Sequence, residues 1–183
     1  MPATGKRTRG ETAEPEAGKA AKKTSKTKAT TESKKGALEV GDKCPLFEVK
    51  DQDGNEVSTD TLKGRYAAIY FYPKDNTPGC TKESCTFRDL TPEFEELNCS
   101  IYGASLDHAT SHGKFIAKYS LTFPLLVADQ EMLKAFKAAK AGGKIQRSTV
   151  LIDPEGGVVG VWNPVKGAEK HPNEVLELLK SQE

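Results

Sequence analysis

"RYAAIYFYPKDNTPGCTKESC", residues 65–85, sets the frame for the whole chain. Residues 65–73 form a near-continuous apolar and aromatic run, the pattern of a strand covered on both faces. A polar loop and Pro78-Gly79 follow, and from residue 80 to 97 the apolar residues Phe87, Leu90, Phe94 and Leu97 recur at helical spacing. A buried strand feeding a helix is the building unit of layered α/β domains.

The same alternation continues outward. "LFEVKDQDGNEVSTDTL" (46–62) turns at Asp53-Gly54 and predicts a hairpin of polar strands at the edge of the domain. "CSIYGAS" (99–105) reads as a second buried strand, Ser111 to Tyr119 as a helix, and "FPLLVAD" (123–129) as a short strand. Gln130 to Lys140 predicts a helix carrying Met132, Leu133 and Phe136. "STVLID" (148–153) and "GVVGVW" (157–162) flank a turn as a second hairpin, and Glu174 to Lys180 closes the chain as a helix. Together these predict an α/β sandwich with a mixed sheet.

Residues 1–36 are different in kind. Ten Lys/Arg against four Glu give them a balance of +6, while the 17 basic and 22 acidic residues that follow balance to −5. The segment has no Leu, Ile, Val, Phe, Tyr or Trp, so it cannot bury enough apolar surface to offset the entropy of ordering. It is expected to be a disordered basic tail, with one folded domain over residues 37–183. The tail lacks the apolar core of a secretory signal, and no apolar run approaches a membrane span. "KRTR" and "KAAKKTSKTK" predict a nuclear protein, also present in the cytoplasm, with an import receptor as partner; the plainer alternative is a solubilising tail. Nucleic acid would be held weakly at most, and only by the tail, because the folded part is acidic.

Four cysteines in a chain without an export signal predict a reducing compartment rather than a disulfide framework. Cys80 opens the helix after Pro78-Gly79, where free backbone N–H groups and the positive dipole end favour an anion. A thiol there is expected to have a lowered pKa and to be the nucleophile. Cys85 lies five residues on, about 7.5 Å further along the axis and about 500° round, which separates the Cα atoms by about 8.6 Å. A disulfide needs about 7 Å or less with converging Cβ vectors. The pair is therefore either unconnected, Cys85 serving as a small core hydrophobe, or a switch that requires the helix to unwind. C-x₄-C with no second ligand pair speaks against zinc, and the C-x-x-C of a thioredoxin-type dithiol is absent.

"FYPKDNTPGCTKESCTFRD" resembles the active-site stretch of the peroxiredoxins, in particular the bacterioferritin-comigratory-protein or peroxiredoxin Q subfamily. The pattern P-x-x-x-T-x-x-C falls on Pro73, Thr77 and Cys80, and "GDKCPLFEVKDQDG", "YGASLD", "QRSTVLIDPEG" and "VWNPVK" match in order over residues 37 to 183. The resemblance implies a thioredoxin-like fold, a mixed central sheet flanked by helices with an N-terminal β-hairpin. It implies a thiol peroxidase for hydrogen peroxide and organic hydroperoxides, with no cofactor or metal. Cys80 would become a sulfenic acid and Cys85 would resolve it as an intramolecular disulfide. Thr77 would hydrogen-bond thiolate and peroxide, Arg147 would hold the thiolate and stabilise the leaving oxygen, and Pro73 would cover the pocket. Glu83 would orient Arg147.

Thioredoxin is the implied reductant, and an intramolecular disulfide favours a monomer. The alternative within the same motif is a redox sensor that relays oxidation to client proteins. Cys44 and Cys99 fit no motif and are expected to be structural; His108, His112 and His171 are assigned no catalysis, and Trp162 is expected to pack in the core or at an edge.

Overall fold

The computed structural model describes residues 36–182. The expected basic tail, residues 1–36, lies outside them apart from Gly36. Seven strands and four α-helices follow in the order β1 (Glu48–Asp51), β2 (Glu56–Ser58), β3 (Tyr66–Phe71), α1 (Pro78–Glu96), β4 (Cys99–Ser105), α2 (Ala109–Tyr119), β5 (Leu125–Val127), α3 (Gln130–Ala135), β6 (Ser148–Ile152), β7 (Val158–Trp162) and α4 (His171–Lys180). The strands form one mixed sheet in the order β2-β1-β5-β4-β3-β6-β7. This is the mixed central sheet flanked by helices that the sequence leads one to expect, and the two hairpins supply its two edges.

β3 sits near the middle, parallel to β4 and antiparallel to β6. Its alternate side chains serve two separate cores, which is why its sequence is apolar throughout. Ala67, Ile69 and Phe71 join Met132, Leu133 and Phe136 on one face. Ala68 and Tyr70 join Phe87, Phe94, Phe115, Val175 and Leu179 from α1, α2 and α4 on the other. Full burial of each large side chain contributes about 1.5–3 kcal/mol, so this strand anchors both layers. Tyr70 requires a glycine on the neighbouring strand: a Cβ at Gly103 would lie 2.7 Å from the Tyr70 hydroxyl and 2.5 Å from Leu125 Cδ2.

Three departures from the sequence expectation are the largest. The predicted 130–140 helix stops at Ala135, and Lys137 takes a left-handed φ of +56°. Ala139 instead bridges Ile145 across Gly142 and Gly143, which lets Phe136, Ala138 and Ile145 bury together and overrides the helix propensity of the alanines. The final helix begins at His171 rather than Glu174. Residues 59–62 of the predicted first hairpin form a 3-10 turn. Among the described residues, no helix is long and apolar enough to cross a membrane.

Candidate active site

Loops at the carboxyl ends of parallel strands form the usual crevice of open α/β sheets, and the β3–α1 loop lies there. Thr77 is extended, with φ −84° and ψ 148°, and Pro78 occupies the first helical turn of α1, where its missing N–H costs nothing. The Thr77 carbonyl accepts the first intrahelical bond from Thr81 N–H at 2.8 Å. Cys80 therefore falls in the opening turn, as the sequence predicts, and its side chain is buried.

Register brings the cation. Phe71 of β3 pairs with Ser148 of β6, so Arg147, one residue before β6, stands across from the point where the loop leaves β3. Its carbonyl accepts from Val165 N–H at 2.9 Å, which ties down its backbone. Arg147 Nη2 donates to Cys80 Sγ at 3.2 Å, and Nη1 pairs with Glu83 Oε2. Glu83 lies one helical turn after Cys80 and is completely buried. Burial pushes its carboxyl up to about 7, against the opposing pull of Arg147. Its Oε1 has no hydrogen-bond partner among the described residues. Burial alone would weaken the Arg147 cation, but Glu83 and the Cys80 sulfur outweigh it and raise its pKa. A planar guanidinium thus bridges a thiol sulfur and a carboxylate through two nitrogens, a geometry a lysine cannot copy.

The remaining expected site residues are nearby but differently engaged. The Thr77 hydroxyl donates to the Lys74 carbonyl at 3.0 Å, neither capping α1 nor bonding Cys80. Pro73 is exposed at the start of the loop. Cys85 is half-buried within the unbroken helix α1, and all four thiols are free. Burial pushes the Cys44 and Cys99 thiols up to about 12, which keeps them protonated and poor nucleophiles. Among the described residues, no cluster of three or more His, Cys, Asp or Glu could hold a metal ion.

Several polar groups around the site carry no motif in the sequence. Ser84 and Tyr70 share a buried hydrogen bond of 2.8 Å, and the Phe87 ring stacks on Tyr70 with centroids 4.6 Å apart. His171, ahead of the last helix as the sequence predicts it, is buried at the head of α4. Its Nε2 lies 2.7 Å from the Thr149 hydroxyl, its ring packs on Trp162 and Phe87, and burial, then Arg147, lower its pKa to about 4. It is neutral at physiological pH. His112 is also fully buried, against Asp75 of the β3–α1 loop. Residues 37 positions apart leave no local signal of such a contact.

Comparison with known proteins shows the family. Residues 40–161 match the AhpC/TSA family. Peroxiredoxin Bcp of Bacillus subtilis is 44% identical over 151 residues, covering 78% of this chain and 96% of that protein. The chloroplastic peroxiredoxin Q of Oryza sativa subsp. japonica is 38% identical over 149 residues, 80% of this chain and 69% of that one. The solved bacterioferritin comigratory protein of Xanthomonas campestris, described by its alkyl peroxide reduction activity, superposes with a TM-score of 0.70 at 38% identity, over 74% of this chain and 91% of that one. These bacterial and chloroplastic relatives overturn the nuclear expectation. Lysine clusters report charge, and charge alone does not specify an address. With a buried thiol at a helix start, an arginine on its sulfur, and relatives matched along the folded chain, the protein belongs to the AhpC/TSA family, among the Bcp and peroxiredoxin Q peroxidases.

Proposed function

We propose that the chain reduces hydroperoxides with Cys80 as nucleophile and Cys85 as resolving thiol, and that a thioredoxin returns it to the dithiol. The observation that carries this reading is the 3.2 Å contact from Arg147 Nη2 to Cys80 Sγ. The guanidinium fixes the sulfur in position, and it is also placed to meet negative charge on the departing oxygen. The Cys80 thiolate attacks one peroxide oxygen; the O–O bond breaks, sulfur is oxidised to the sulfenic acid, and the other oxygen leaves as water or an alcohol after taking a proton. Thr77 exchanges its Lys74 acceptor for the bound peroxide, and Pro73 limits access of water. Cys85 then attacks the sulfenic sulfur, forming the disulfide and releasing water. Two electrons from a thioredoxin dithiol restore both thiols.

Because α1 is continuous through both cysteines, the resolving step needs its first turns to open. The disulfide is intramolecular, so the working unit is a monomer, and residues 37–183 suffice for the chemistry. Disulfide mapping by mass after one equivalent of hydrogen peroxide tests the reading. A Cys80–Cys85 bond is expected in the parent. Cys80→Ser should consume no peroxide, and Cys85→Ser should stall as a sulfenic acid and proceed to sulfinic acid. Multi-turnover activity of Cys85→Ser with thioredoxin, glutathione being left out, would refute the resolving role. No turnover with thioredoxin, together with disulfide transfer to a second protein, would favour the relay instead.

A further inference from the structure

The β3–α1 loop delivers Cys80, and one buried carboxylate holds that loop. Asp75 is 5% exposed. It accepts hydrogen bonds from the Tyr72 hydroxyl at 2.7 Å, the Ser111 hydroxyl at 2.6 Å and His112 Nδ1 at 3.0 Å. Its backbone N–H donates to Asp107 Oδ2 at 2.9 Å, and Asp107 is held in turn by the Ser105 hydroxyl at 2.8 Å. The other nitrogen of His112, Nε2, faces the Leu126 carbonyl of β5 at 3.2 Å. Asp75 is thus tied to Tyr72 just past β3, to the β4–α2 turn, to α2 and, through His112, to β5. Immediately after it the chain enters a left-handed turn at Asn76, φ +58°, and Thr77 follows.

A buried carboxylate is costly to desolvate and adds no apolar packing, so one held by three side-chain partners calls for a role beyond filling the core. Burial pushes the Asp75 carboxyl up, yet the bonds from His112, Ser111 and Tyr72 outweigh that and hold it below its ordinary value. The carboxylate lies two residues after Pro73 and two before Thr77, the loop positions to which the proposed reaction gives a part. We propose that Asp75 and His112 are positioning residues for the peroxide reaction: by clamping the 73–77 loop onto α2 they set the geometry in which a peroxide oxygen meets Cys80. The proposal rests on the reading of Cys80 as the peroxide-reactive thiol.

A reaction that needs an oriented substrate should lose far more from loop displacement than one that needs only a thiolate. The test compares the second-order rate constants of the reduced protein with hydrogen peroxide and with iodoacetamide. Asp75→Asn and His112→Gln should each slow the peroxide reaction by about tenfold or more and leave the iodoacetamide reaction within about twofold. The double variant should be no slower than the slower single one, as expected of residues that act as a unit. Ser111→Ala removes one donor and keeps the pair; it should show the same selectivity at about threefold, and it decides the question if either pair variant does not fold. Equal losses with both reagents, or no loss with peroxide, would overturn the proposal. Peroxide consumption by Cys80→Ser would instead overturn the reading beneath it.

Discussion

Ser84 is where the proposed opening of α1 can be measured. Its hydroxyl and that of Tyr70 are 2.8 Å apart, and both residues are completely buried. Gly103 lies close beneath the Tyr70 hydroxyl, and the ring is held by stacking on Tyr72 and Phe87 with centroids 5.4 and 4.6 Å away. In Ser84→Ala the Tyr70 hydroxyl loses this partner without room to turn away, which should cost the reduced fold about 1–3 kcal/mol. If forming the Cys80–Cys85 disulfide has already pulled residue 84 out of the helix, the oxidised form has nothing to lose. The penalty then falls on the reduced form alone, and the disulfide becomes harder to reduce. At about 30 mV per 1.4 kcal/mol for a two-electron couple, the reduction potential should fall by roughly 20–60 mV. Denaturant unfolding of both redox forms gives the stabilities, and equilibration against a reference dithiol couple gives the potential. Adding Tyr70→Phe should recover most of the loss, because removing both partners of a buried bond is nearly neutral. Equal destabilisation of the two forms with an unchanged potential would show that Ser84 stays docked after oxidation, and the unwinding argument would fail.

Hydrogen exchange should show amides 83–87 losing protection on oxidation while those of β3, Ala67 to Phe71, keep theirs; equal protection in both forms would exclude Cys85 as the partner. Arg147→Lys keeps the charge but not the two-pronged reach to Cys80 and Glu83, so the peroxide rate constant should fall roughly 100-fold, and a stopped-flow rate within threefold of the parent would refute the bridging role. Glu83 has a folded pKa of about 7 against an ordinary 4.5, so the folded state holds its proton more tightly than the unfolded chain. Its contribution is fully present below 4.5 and is lost as pH rises through about 7. Glu83→Gln should therefore lose less stability than the parent over that window in parallel denaturant titrations, and identical slopes would show that the carboxyl does not titrate there.

Much of this protein is decided locally and can be read locally. The near-continuous apolar run at residues 65–73 has the pattern of a strand with a core on each face, and β3 has one on each face. Pro78-Gly79 before a helical pattern placed Cys80 in the first turn of α1, and helix geometry alone separated it from Cys85. The rest depended on chain segments meeting. Arg147 lies 67 residues beyond Cys80, and only the β3–β6 register brings it to the sulfur; resemblance to a family could name it, but no periodicity could. Tertiary contacts also cut the 130–140 helix short and drew His171, just ahead of the predicted last helix, into the core. Asp75 and His112 each look like ordinary polar residues in sequence, and become a buried pair once α2 packs beside the loop. Backbone propensity and side-chain period act over a few residues, so sequence determines elements and the thiol's place in them. Burial and charge pairing depend on which distant residues share a small dry volume, and the folded sheet alone decides that.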